Sequence, residues 1–247
     1  MAMRPIDIAR KLGISTTTLR KYEELGLIPA VPRSASGYRI YTQEHFAYFI
    51  CIREMLGAFE LSQISGIMKK VLAKETDAAL WRVNKAQADL HQEKLISEKI
   101  ILNLGLLERQ EEKYPAEDTA PVLMTINAVS RETGVPATTI RYWDKIGLIS
   151  SQRGRENNYR MFTPGHIKQI LTIYALKFTF QAKGQKHFVN LIREELKEFD
   201  LDDKDRLSSM KKDIEKYLNR MNRAQISSIT SLYRLCLQVD SGTWNGI

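Results

Sequence analysis

The residues best suited to chemistry in this sequence lie in the stretch TTTLRKYEELGLI, residues 16–28. Four polar side chains follow the spacing i, i+3, i+4, i+7 and therefore share one face of a helix: Thr17, Arg20, Lys21 and Glu24. Leu19 and Tyr22 fall on the side that would turn toward a core. Two adjacent cations on an exposed helix suit an anionic partner, although an ordinary solvated surface has the same pattern.

The same pattern returns as ATTIRYWDKIGLI at residues 137–149. An offset of 121 residues aligns Gly13 with Gly134 and His45 with His166 without a gap. The outward residues of this copy are Thr138, Arg141, Tyr142 and Lys145, and the inward ones are Ile140 and Trp143. The repeat unit is thus about half the chain, and each half reads as a compact module followed by a long helical segment.

Each module reads as two short helices, a tight glycine turn between them, and a small hairpin. In the first module Gly13 ends one helix and Ser15 caps the next, whereas Pro136 takes the capping position in the second module. In the segments PRSASGYRIYT and RGRENNYRMFT, apolar and polar residues alternate as they do in a hairpin. The tip of the hairpin is predicted to carry Arg33 in the first module, and Arg153 and Arg155 in the second. Because successive side chains of a strand point to opposite faces, Arg39 and Arg160 are expected to point away from the core. Such a wing beside a helix-turn-helix can rest on DNA phosphates. The alternative is a hairpin that only covers the core.

Five segments are expected along the chain. They are a first winged helix-turn-helix (1–73), a long coiled-coil helix (74–113), a linker (114–123), a second winged helix-turn-helix (124–200) and a C-terminal coiled-coil helix with a tail (201–247). The fold class is therefore mainly α.

The two long helices each carry an apolar stripe that needs a partner. In the first helix the stripe runs from Leu90 to Leu107, and in the second it runs from Ile214 to Val239 with polar interruptions at Gln225 and Ser228. Coiled-coil stripes of this kind pair between helices. One hypothesis is an intramolecular pseudo-dimer, and its rival is a homodimer that displays four modules.

Composition narrows the function classes. The net charge of +8 and the pI near 9.4 favour an anionic partner, nucleic acid or an acidic membrane surface. No apolar run is long enough to span a bilayer and no secretory signal is evident, so we expect a cytoplasmic protein without a membrane partner. Cys51 and Cys236 are far apart in sequence, and the histidines lack partners at metal-ligand spacing, so no metal or cofactor is expected. Paired carboxylates, a phosphate loop and a nucleophile motif are also missing, which argues against an enzyme.

The combined helix and wing pattern, IARKLGISTTTLRKYEELGLI followed by GYRIYTQEHF, resembles the mercury-resistance regulator (MerR) family. The second copy, TGVPATTIRYWDKIGLI followed by NNYRMFTPGHI, resembles it too. The resemblance implies that the residues on the second helix meet DNA in the major groove, at Arg20, Lys21, Tyr22, Arg141, Tyr142 and Trp143. It implies that the wing residues meet backbone phosphates, at Tyr38, Arg39, Tyr159 and Arg160. Lys21, Trp143 and Asn158 depart from the family pattern, so the two copies are not expected to read the same bases.

The resemblance further implies a transcription regulator in the bacterial nucleoid. It would bind double-stranded DNA with two nonidentical modules in adjacent major grooves, distort promoter DNA, and meet RNA polymerase there. Two alternatives stay open at this point. One is an architectural or chromosome-anchoring protein with low sequence specificity, and the other is a coiled-coil interaction scaffold.

Overall fold

The computed structural model describes residues 3–110, 123–154, 159–185, 187–198 and 203–244, without the side chains of residues 103–110 and 204. The chain divides into two compact units. Unit 1 comprises Met1–Leu90 and Arg220–Ile247, and unit 2 comprises His91–Asn219.

Helices dominate both units, which confirms the mainly α prediction. The elements of the first half are α1 (Pro5–Leu12), α2 (Thr16–Glu24), α3 (Gln43–Met55), α4 (Leu61–Leu72) and α5 (Thr76–Gln110). Those of the second half are β1 (Met124–Thr125), α6 (Ile126–Thr133), α7 (Ala137–Lys145), β2 (Gln152–Arg153), β3 (Arg160–Phe162), α8 (Pro164–Ala182), α9 (Val189–Glu195) and α10 (Lys204–Ser241).

In unit 1 the helix-turn-helix forms as its capping residues predict. α1 ends at Gly13, whose φ of 62° lies in the left-handed region that glycine adopts without strain. The side chain of Ser15 then accepts a hydrogen bond from the backbone N–H of Thr18 at 3.1 Å and so caps α2. Leu19 and Tyr22 bury the inner side of α2.

In unit 2 the same two helices form with different capping chemistry. The Thr125 hydroxyl accepts a hydrogen bond from the Ala128 N–H at 3.3 Å and caps α6. Gly134 ends that helix with a φ of 76°. Pro136 precedes α7 and offers no side-chain cap, but its fixed φ of −56° already suits a helix start.

The sequence separation of the two paired arginines differs by one residue between the two wings. In unit 1 an antiparallel bridge pairs Arg33 with Arg39, and in unit 2 the β2–β3 ladder pairs Arg153 with Arg160. The paired arginines are therefore six positions apart in one wing and seven in the other. Arg33 and Arg153 lie at the paired position beside the turn and not at its predicted tip, because the first turn closes after Arg33, through a hydrogen bond from the Gly37 N–H to the Ser34 carbonyl.

The core of unit 1 joins the module to parts of both long helices. Ile52 of α3 and Met68 of α4 are fully buried, and they belong to one apolar cluster with Val83 of α5 and with Leu232 and Leu235 of α10. Burial of these side chains is the main stabilising contribution, at roughly 25 cal/mol for each Å² removed from water.

Within unit 1, α5 and α10 run antiparallel. The Thr76 hydroxyl, at the start of α5, donates to Asp240 Oδ1 near the end of α10 at 3.1 Å. Farther along α5, Gln87 Nε2 donates to Asn222 Oδ1 at 2.7 Å, earlier in α10. In the part of the α10 stripe that belongs to unit 1, Leu232, Leu235 and the two polar interruptions Gln225 and Ser228 are buried, whereas Met221 and Val239 are half-buried.

In unit 2 the core is built around α8, which is buried on nearly every side between Ile170 and Phe180. Lys177 of α8 forms an ion pair with Glu93 of α5 at 3.0 Å. The ring of Phe178 lies 6.0 Å from that of Tyr217 on α10. Segments of both long helices therefore support this module as well.

Candidate nucleic-acid interface

The outer side of α2 presents the predicted polar face. Thr17, Arg20 and Lys21 are exposed, as is Glu24 one turn later. The opposite side is anchored by Leu19, which is fully buried. Because the inner side is fixed in the core, the outer side chains project from a helix that cannot rotate.

α7 repeats this arrangement with another set of outward residues. Thr138, Arg141 and Lys145 are exposed, and the Tyr142 ring is 52% exposed. Ile140 is fully buried on the other side. Thus each unit carries a helix with an exposed threonine and, three positions later, an exposed arginine.

Tyr22 and Trp143, which the resemblance placed in the DNA-contacting set, are only 5% and 6% exposed. The Tyr22 ring lies 6.3 Å from Phe49, and the Trp143 ring lies 6.1 Å from Tyr174. Both rings hold the helix against the core. Neither ring belongs to the exposed face of its helix.

Each wing carries a tyrosine that the fold does not cover. Tyr38 is 76% exposed and Tyr159 is 67% exposed. Arg33 and Arg153 are exposed as well, and Arg33 Nη1 donates to the Gly37 carbonyl at 3.2 Å. Arg155, the remaining predicted wing residue, lies outside the described residues.

The wing arginines make ion pairs that the sequence did not reveal. Arg39 Nε donates to Glu23 Oε2 at 2.6 Å, and Arg160 Nε donates to Asp144 Oδ2 at 2.6 Å. In both units the carboxylate is the residue directly after the buried aromatic of α2 or α7, and the arginine follows 16 positions later. The pairs connect each wing to its helix.

The electrostatics of these pairs follow from their geometry. The hydrogen bond with Glu23 raises the pKa of Arg39, which strengthens its protonation. Burial opposes the ionisation of Asp144, but hydrogen bonds from Arg160 and Ser151 outweigh it and hold the Asp144 pKa below its usual range. These shifts favour the charged forms of Arg39 and Asp144.

A histidine ties the wing strand to the following helix in each unit. His45 Nδ1 lies 3.1 Å from the Thr42 nitrogen and 2.7 Å from its hydroxyl, and His45 Nε2 lies 3.4 Å from the Ala30 carbonyl. The unit 2 equivalents are His166 Nδ1 with the nitrogen and hydroxyl of Thr163 at 3.0 and 2.7 Å, and Nε2 with the Ser150 carbonyl at 2.9 Å. The backbone N–H can only donate to an unprotonated Nδ1, so these contacts require the neutral tautomer with its proton on Nε2. Both histidines are structural here.

In unit 2 an open groove of about 530 Å³ lies between α7, the wing and the start of α6. Its lining residues are Thr125, Ile126, Asn127, Arg141, Arg153, Tyr159 and Arg160. The charge of Arg160 is balanced by Asp144, but Arg141 and Arg153 keep this groove cationic, which suits a phosphate.

The net positive charge is concentrated in unit 1. That unit has 16 Lys and Arg against 10 Asp and Glu, whereas unit 2 has 21 against 19. Long-range attraction of a polyanion should therefore act mainly on unit 1.

In the described part of the chain, no group of three or more His, Cys, Asp or Glu could hold a metal ion. Among those same residues, no helix has the length and apolar character needed to cross a membrane.

Two winged helix-turn-helix modules in tandem thus define the class of protein, and comparison with known proteins identifies the family. A model described as "MerR family regulatory protein" matches residues 4–41, and one described as "MerR HTH family regulatory protein" matches residues 124–179. The HTH-type transcriptional regulator HmrR of Rhizobium leguminosarum bv. viciae is 33% identical over 112 residues, which are 45% of this chain and 79% of HmrR. The chain therefore belongs to the MerR family, with one family module in each half.

Other relatives match shorter stretches. The HTH-type transcriptional regulator CueR of Salmonella typhi is 42% identical over 48 residues, 19% of this chain and 35% of CueR. The mercuric resistance operon regulatory protein of Bacillus cereus is 39% identical over 70 residues, 28% of this chain and 52% of that protein. The chain therefore spans between about a third and about half of the length of these two relatives. No solved structure matches it significantly.

Proposed function

We propose that this chain is a transcription regulator that binds double-stranded DNA through two unlike winged helix-turn-helix modules. The observation that carries the proposal is that each unit has both an exposed arginine on its second helix and a largely exposed tyrosine in its wing. These are Arg20 with Tyr38, and Arg141 with Tyr159. A tyrosine ring exposed to this extent contributes little to the fold, whereas its hydroxyl can donate to a phosphate.

The helix residues would supply base contacts and the wings would supply phosphate contacts. Arginine donates two hydrogen bonds to guanine O6 and N7, the most common specific contact in the major groove. Wing side chains that meet phosphates fix the register of the helix on the duplex. The cationic groove beside Arg141 and Tyr159 is suited to a backbone phosphate in unit 2.

The two modules should read different base sequences. Directly after the shared arginine, Lys21 of α2 corresponds to the exposed Tyr142 of α7. One turn later, Glu24 corresponds to Lys145. A tyrosine offers an apolar ring and one hydroxyl where a lysine offers only donors, so the preferred bases at that step differ. The operator would then be asymmetric.

We further propose that one chain acts as an intramolecular pseudo-dimer. The antiparallel contacts of Thr76 with Asp240 and of Gln87 with Asn222 support this, because they hold α5 beside α10 within unit 1. Leu232 and Leu235 of the α10 stripe are buried there in one cluster with Val83 of α5, so this part of the stripe needs no second chain. Native mass spectrometry at low concentration should then give one chain per particle. Two chains per particle would refute the pseudo-dimer and favour a homodimer.

Selection from random duplex DNA at physiological salt tests the function. We expect enrichment of two unlike half-sites about one helical turn apart. Arg20→Ala and Arg141→Ala should each weaken binding to the selected site by about 1 to 3 kcal/mol, and each should relax only one half-site. An Arg141→Ala variant with unchanged affinity would mean that the second module does not read DNA. Distortion of promoter DNA and contact with RNA polymerase are further parts of the proposal that rest on the family alone.

One observation favours a second function, an architectural role. The excess of six positive charges on unit 1 is sufficient to bind DNA of any sequence through phosphate neutralisation. Retention of DNA without enrichment of any sequence in the selection would support this alternative.

A further inference from the structure

A carboxylate lies at the same place on both proposed recognition helices, although a negative charge there repels DNA. Glu23 is the residue after Tyr22 on α2, and Asp144 is the residue after Trp143 on α7. The side chains of Glu23 and Asp144 are 20% and 13% exposed, so each stands at the edge of the module surface. A physical reason is needed for an acid in this position.

The ion pairs with the wing supply that reason. The Nε to carboxylate distance is 2.6 Å in both units, although glutamate and aspartate differ by one methylene. The shorter aspartate is held by additional donors, because the Ser151 N–H and hydroxyl lie 3.0 and 2.7 Å from Asp144 Oδ1. Two different side chains therefore produce the same contact with the wing.

We propose that Glu23 and Asp144 are positioning residues for DNA binding, and that Arg39 and Arg160 act through them and not as phosphate contacts. This inference rests on the proposed function. A short ion pair with little exposure fixes the arginine, and the wing tyrosine is its neighbour in the chain. The pair thus sets the distance between the helix that reads bases and the wing that meets phosphates.

The alternative, in which Arg39 neutralises a phosphate directly, predicts the opposite sign for one substitution. Glu23→Gln would then remove a repulsive charge and release the arginine for DNA, so the affinity would rise. If Glu23 positions the wing, the same substitution loosens the wing and the affinity falls. Glu132→Gln is a matched control, because it removes the same charge from an exposed glutamate of α6, which lies outside both proposed recognition helices and has no ion pair in the described part of the chain.

The experiment measures the dissociation constant of the full chain for the selected duplex and for a scrambled duplex over a range of salt concentrations. We expect Glu23→Gln to weaken binding to the selected duplex by about tenfold, as for loss of a hydrogen bond to a charged group. Glu132→Gln should leave the affinity equal or higher. Arg39→Gln should weaken binding while the slope of log K against log salt stays at the wild-type value, because no phosphate contact is lost.

Three results would overturn the inference. They are an affinity of Glu23→Gln that equals or exceeds that of wild type, equal changes in Glu23→Gln and Glu132→Gln, or a slope in Arg39→Gln that is lower by about 0.9, the value for one phosphate. Circular dichroism establishes that each variant is folded. Should Glu23→Gln not fold, Asp144→Asn provides the same test in unit 2. A wild-type chain that binds neither duplex would instead refute the proposed function, and the inference with it.

Discussion

Replacing Tyr41 with phenylalanine should stabilise unit 1. The Tyr41 ring is fully buried, and its hydroxyl has no hydrogen-bond partner in the described part of the chain. Burial also raises the pKa of this hydroxyl, so it stays neutral. The ring packs edge-on against His45 and Phe49, with centroids 5.7 and 5.5 Å away, and phenylalanine retains both contacts.

The size of the effect follows from two opposing contributions. A buried polar group without a partner costs about 1 to 3 kcal/mol, which the substitution recovers. Removal of the oxygen leaves a void of roughly 10 Å³, which costs about 0.2 kcal/mol at ~24 cal/mol per Å³. The free energy of unfolding of unit 1 should therefore rise by about 1 to 3 kcal/mol. In a unit of roughly a hundred residues, each kcal/mol corresponds to about 4 °C in Tm.

The duplicated module provides the reciprocal variant. Phe162 occupies the position of Tyr41 in unit 2, is fully buried, and lies edge-on to His166 with the centroids 5.8 Å apart. Phe162→Tyr should therefore lower the stability of unit 2 by a similar amount. Calorimetric unfolding of the full-length variants measures both changes. A lower Tm for Tyr41→Phe would refute the reasoning, because it would show that the hydroxyl has a stabilising partner.

Two further predictions concern polar groups in other parts of the chain. Asp144→Asn should destabilise unit 2 at neutral pH by about 1.5 to 3 kcal/mol, because it weakens charged hydrogen bonds with Arg160 and Ser151. The folded pKa of Asp144 lies below the unfolded value of about 3.9, so its contribution is present above that pH and disappears as the pH falls through the folded value. Urea unfolding of the variant should thus show a weaker pH dependence in acid than wild type, and an identical dependence would contradict the prediction. Gln225→Leu on α10 should raise the stability of unit 1 by about 1 kcal/mol, because the buried Gln225 carbonyl oxygen has no partner in the described part of the chain; a decrease in the urea midpoint would contradict it.

Local sequence patterns predicted the helices and the repeat because both depend on near neighbours. Gly13 and Ser15 act within one turn of the helices that they end or cap, so their roles can be predicted from spacing.

The aromatic positions show a limit of the family resemblance. Helical spacing placed Tyr22 and Trp143 toward the core, the resemblance placed them at DNA, and the structure buries both rings.

The ion pairs between wing and helix could not be predicted, because they depend on how the chain folds back over 16 residues. The alternation of side chains along the strand correctly predicted that Arg39 points away from the core. It does not indicate which group accepts a hydrogen bond from the guanidinium. For the long helices the sequence left two partners open, a helix of the same chain or a helix of a second chain. An apolar stripe on α10 shows that a partner is required, whereas contacts such as Thr76 with Asp240 identify it.

The two copies differ where side chains face outward and agree where they hold the module together. The ion pair of the wing and the histidine contacts recur at equivalent positions with nearly the same distances. On the outer faces, Lys21 stands directly after the shared arginine of α2, while on α7 the lysine is Lys145, one turn farther along the helix. Because the ion pair fixes the wing in both modules, the outward residues can differ without changing how the module docks on DNA. Differences in DNA preference between the halves should therefore map to these two positions, and exchanging them between the copies should exchange the preferred half-sites.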